Sequence, residues 1–126
     1  MLEVLSNAAF LLPIGMALAA GFWWHVAVAA SSLAASLAYH LADERRFYEF
    51  DHFLAIGLMV ANLVLVLTGK PKWYSFAILL LLVGTAFLML YAPLPYVSRE
   101  ARHSAWHLAS ALITAFAVFI RQDPRY

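Results

Sequence analysis

The chain of 126 residues is 65% hydrophobic and 12% charged, with a formal charge of +1, which lies outside the range of ordinary soluble domains. It contains no cysteine, so disulfides, thiolate metal sites and lipidated cysteines are excluded, and it has no basic run of the kind that holds nucleic acid. The reading that remains is one integral, multi-pass membrane domain over residues 1–126, in which any metal must be bound through nitrogen and oxygen.

From Val4 to Ala42 there are 39 residues without Asp, Glu, Lys or Arg. That is far longer than the roughly 7 to 15 apolar residues of a signal-peptide core, and no small-residue cleavage pattern closes it. A bilayer core of about 30 Å takes about 20 helical residues, so this run predicts two spans, 4–20 and 23–42. Gly21 permits the tight turn between them, and Trp23 and Trp24 suit the headgroup level. Pro13 falls inside the first span and should kink it. The charged group Asp43, Glu44, Arg45, Arg46 and Glu49 predicts a solvated loop.

Three further apolar segments follow, punctuated by Lys70, Lys72, the Pro93 and Pro95 pair, and Arg121. They predict spans at 50–69, 73–92 and 100–120. None alternates with period 2, and long apolar runs of this kind must satisfy their backbone as helices. The expected fold is therefore an all-α, polytopic transmembrane helical bundle of about five spans. Five spans place the N-terminus and the loops near 43–49 and 93–99 on one side, here side A. The Gly21 turn, the Lys70 to Lys72 loop and the C-terminus lie on side B. Each side carries four Lys or Arg residues, Arg45, Arg46, Arg99 and Arg102 against Lys70, Lys72, Arg121 and Arg125, so the positive-inside rule does not orient the chain.

That topology brings His40 (end of span two), Asp51 (start of span three), and His103 and His107 (start of span five) to a similar depth beneath side A. Residues four apart share a helix face, so Ser36 lies one turn deeper than His40, and His107 one turn deeper than His103. Two histidines from one helix and a third from another can supply three nitrogen ligands to zinc and leave a fourth position open for water. Asp51 could take or align a proton of that water, and Ser36 could donate a hydrogen bond to it or to a substrate carbonyl. An HxxxH pair alone is a weak signal, and Ser36 or Asp51 alone could be a packing serine or a helix N-terminal charge. Their joint occurrence in one layer carries the weight, because ionisable groups in a membrane are costly and usually functional.

The other polar residues read as scaffold. His25 suits the side B interface, Ser31 and Ser32 suit packing between helices, and Asn62 and Thr68 look like packing contacts. His52 is turned about 100° from Asp51 on a helix and is not expected to ligate. Asp43 is near enough to His40 to accept its second ring proton.

Ser36-xxx-His40, then Asp51, then His103-xxx-His107 resembles the CREST superfamily of membrane metal-dependent hydrolases, which includes alkaline ceramidases, adiponectin and progestin receptors and myomaker-like proteins. LSNAAFLLP (5–13) and RHSAWHLASAL (102–112) look like that family's first and last spans. SLAYHLAD (36–43) and FDHFLAIG (50–57) look closest to its myomaker-like branch. The resemblance implies Zn2+ held by His40, His103 and His107, with Ser36 and Asp51 as catalytic residues around the activated water. It also implies hydrolysis of an acyl bond, an amide above all, in a membrane lipid such as ceramide or another N-acyl lipid. The family has seven spans where five are read here, so a homodimer or lipid itself would complete the cavity wall. Two other readings stand beside it: a non-catalytic myomaker-like protein whose metal only pins helices together, and a bis-histidine haem protein.

Overall fold

The computed structural model describes residues 2–42, 45–92, 95–123 and 125. Helix α1 (Leu2–Ser6) passes through a 3-10 turn (Asn7–Phe10) into α2 (Leu11–Ala19). Ser6, Phe10 and Leu11 keep right-handed helical dihedrals, so this is one rod with a tightened stretch rather than three separate pieces. The tightening sits just ahead of Pro13, whose ring would crowd the carbonyl four residues back in a regular α-helix. The rest of the chain forms α3 (Trp23–Ala42), α4 (Arg45–Leu67), α5 (Trp73–Tyr91) and α6 (Arg99–Gln122). No strand occurs among the described residues, and the molecule is an all-α helical bundle.

Four of these helices are long and apolar enough to cross a membrane, and the N-terminal apolar stretch Val4–Ala19 is shorter. The turn between α2 and α3 is made by Gly21 at φ 74°, a left-handed conformation that glycine adopts without steric cost. The charged stretch after Ala42 departs from the predicted loop. Arg45, Arg46 and Glu49 are part of α4, because Arg and Glu are good helix formers and a helix can project past an apolar boundary. Asp43, Glu44 and Pro93 lie outside the described residues, and with Asp43 its expected role as acceptor of the second ring proton of His40.

Helix α6 is the centre of the bundle. It packs against α1, the 3-10 turn, α2, α4 and α5, while α3 packs mainly on α4. Its buried positions include His103, Trp106, His107, Ser110, Ile113, Thr114, Ala117 and Ile120, spaced three and four apart as one helical face demands. Small residues on that face let neighbouring backbones approach closely. The Ser98 side chain caps the helix start by accepting from the Ala101 N–H at 3.1 Å, satisfying one of the unpaired donors there.

Polarity is distributed inside out. Leu41, Phe53, Leu81, Leu88 and Leu112 are each at least 66% exposed, whereas Asp51, Asn62, His25, His103 and His107 are buried. Apolar side chains facing outward while ionisable ones are held within the core are what a hydrocarbon solvent selects.

Candidate metal centre

Two helices deliver three imidazoles to one point. His40 comes from the last turn of α3, and His103 and His107 come one turn apart from the start of α6. Their nearest ring nitrogens all lie within 4.8 Å of one another. The Nε2 atoms of His40 and His103 face each other at 3.2 Å, and the rings meet pairwise at centroid distances of 4.5 to 5.3 Å with steep interplanar angles. A nitrogen pair at this separation suits an N–H···N hydrogen bond. It also suits two ligands of one ion, since nitrogens at about 2.0 to 2.1 Å from a tetrahedral centre stand about 3.3 Å apart. The third imidazole and the absence of sulfur make the donor set one that a divalent ion of borderline hardness accepts.

The surroundings fix ring orientation. Ser6 Oγ lies 2.9 Å from His107 Nδ1, so Nδ1–H donating to that hydroxyl leaves the Nε2 lone pair pointing into the cluster. A partner of this kind on the far nitrogen is a recurrent feature of ligating histidines. Ser36 Oγ stands 3.2 Å from His107 Nε2 and hydrogen-bonds the Asp51 carboxyl. Tyr39 packs against His40 and Tyr48.

Asp51 is buried and borders two cavities. One, of about 10 Å³, is lined by Ser32, Ser36, Asp51, Ser110 and His107 among apolar neighbours that include Phe10 and Trp106, and a single water needs about that much room. Ser110 Oγ is buried at this cavity with no hydrogen-bond partner among the described residues. The other cavity brings Asp51 beside His103 and Trp106.

The structure thus brings Ser36, His40, Asp51, His103 and His107 into one layer. His52 lies outside the trio, with Nδ1–H donating to the Tyr48 carbonyl at 3.2 Å. Two readings change. His25 is not an interfacial residue but fully buried, its Nε2 2.8 Å from Asn62 Oδ1. Asn62 in turn donates to Thr114 Oγ1 at 3.1 Å, and that hydroxyl donates to the Ser110 carbonyl at 2.7 Å. Ser32 is buried, whereas Ser31 is exposed. Ser6 escaped notice in the sequence, although a Ser-Asn pair in an uncharged span at the side A level was a usable signal.

No protein family, curated protein or solved structure matches this chain.

Proposed function

We propose that the protein is a multi-pass membrane hydrolase that binds zinc through His40, His103 and His107 and cleaves an acyl bond, an amide in our reading, of a membrane lipid. Membership of the CREST superfamily is part of the same proposal. The observation that carries it is the convergence of three imidazoles within 4.8 Å beside a buried carboxyl that is hydrogen-bonded to serine. A zinc ion there would supply a Lewis acid that polarises an acyl carbonyl and lets water ionise near pH 7.

The chain's own groups perform the remaining work. The Asp51 carboxylate accepts a proton from the attacking water and returns it to the departing amine nitrogen as the carbonyl carbon–nitrogen bond breaks. Ser36 holds that carboxylate in place through its hydroxyl. Phe10, Leu58, Met59 and Trp106 line the same cavity and keep bulk water from it, which strengthens every charge interaction inside. A largely apolar groove of about 230 Å³, lined by Val4, Asn7, Ala8, Leu11, Leu33 and Leu37, suits an acyl chain.

The test is to incubate purified protein with ceramides, N-acyl amino lipids and phospholipids and to measure released fatty acid by mass spectrometry. Wild type should release fatty acid from at least one amide lipid. Asp51→Asn should lower that rate by about 10² to 10⁴-fold while keeping its zinc. Equal release by the two proteins across the whole panel sinks the enzyme reading.

A second reading, a purely structural metal, draws support from Ser6 tying α1 to His107, so that one ion would pin several helices. It wins if Ser36 and Asp51 can be replaced without functional effect while histidine changes abolish folding.

A further inference from the structure

On the outer flank of His103 lies a recess of about 150 Å³ lined by Tyr48, His52, Tyr91, Arg99, Arg102 and His103. No carboxylate among the described residues lines it. Glu49 and Glu100, on the adjoining helical turns, are exposed and stand outside it. Arg102 donates from Nη1 to the Ala92 carbonyl at 2.8 Å, and its buried Nε has no hydrogen-bond partner among the described residues. Arg99 makes no ion pair with any described carboxylate. Two guanidinium groups, two tyrosines and two imidazoles therefore surround a space that no carboxylate among the described residues lines.

We propose that this recess binds the anionic oxygens, phosphate above all, of a lipid headgroup. The substrate class of the metal centre is then an anionic acyl lipid rather than a neutral ceramide; this last step rests on the hydrolase reading, whereas the binding itself does not. Guanidinium groups present planar, paired donors that match phosphate and carboxylate oxygens, and the tyrosine hydroxyls can supply further donors. The recess is smaller than the roughly 300 Å³ of a pocket that swallows a drug-sized molecule, so it takes a headgroup and leaves the rest of the lipid outside. His103 lines both the recess and the metal centre. A headgroup seated there puts the first acyl linkage a few bonds away, beside the imidazoles of the metal centre.

The experiment is native mass spectrometry of the full chain, released from detergent containing equal amounts of phosphatidylglycerol and phosphatidylcholine with the same acyl chains. Wild type should retain phosphatidylglycerol at least about tenfold over phosphatidylcholine, the size expected for one or two charge-assisted hydrogen bonds. Arg99→Gln should bring the ratio near parity, and so should Arg102→Gln. If Arg102→Gln fails to fold for want of its bond to Ala92, the exposed Arg99 still carries the test. Lys70→Gln with Lys72→Gln, an equal or larger charge change at the other end of the bundle, should leave the preference intact. Equal retention of the two lipids, equal loss in the lysine variant, or inorganic phosphate binding as tightly as the lipid would each overturn the proposal. Phosphatidylglycerol retention without fatty acid release keeps the recess and removes the hydrolase, whereas release from neutral amide lipids with no anionic preference does the reverse.

Discussion

The bundle contains two buried histidine networks, one at each end, and they are built differently. At side B, His25 meets only neutral partners, Asn62 and through it Thr114, a chain of dipoles that ties α3, α4 and α6 together. At side A, three imidazoles face one another next to Asp51 and Ser36. Both give buried polar groups partners among apolar helices, although His25 Nδ1 has none among the described residues. Only the second brings several lone pairs to one point with a carboxylate beside them. A histidine in a membrane helix is thus not by itself a site; convergence of like groups, which repel or compete unless something binds between them, marks one.

The comparison breaks most sharply on metal content. Purified wild type should carry about one zinc per chain, and His40→Ala or His107→Ala should carry almost none, because removing one of three protein ligands leaves an incomplete site. His25→Ala should retain the full amount; elemental analysis after gel filtration decides, and loss of zinc in all three variants would erase the distinction. A smaller effect belongs to Ser6→Ala, which removes the hydroxyl facing His107 Nδ1 and should weaken zinc affinity by about 10 to 100-fold in chelator competition. The smallest belongs to Thr114→Val, which keeps the side-chain volume and deletes the acceptor of Asn62. It should cost about 1 kcal/mol in detergent unfolding and leave zinc content unchanged.

Much of the architecture was legible because charge is so scarce in this chain. The uncharged run to Ala42 and the isolated lysines at 70 and 72 mark the ends of helices now seen at Trp23–Ala42 and Trp73–Tyr91. The start of α4 was not, since Arg45 and Arg46 read as loop by charge yet continue a helix by propensity. The alternation of helix direction placed His40, Asp51 and the α6 pair at one depth, but depth says nothing of the angle at which a side chain leaves its helix. That angle is set by packing, so Ser6 and the chain from His25 to Thr114 surfaced only in three dimensions. The basic recess was hidden for the same reason: Tyr48, Tyr91 and Arg99 come from three helices, and none stands out alone.

The central place of α6 bears on how the molecule comes into being. The helix around which the others gather leaves the ribosome after all of them, and His103 emerges on the order of several seconds later than His40 at ordinary elongation rates. During that interval Ser6, Asp51 and Asn62 are already synthesised while His107, His103 and Thr114, their neighbours on α6, are not. Nascent chains halted before Arg99 should therefore be the species that quality-control proteases and insertion chaperones seize first.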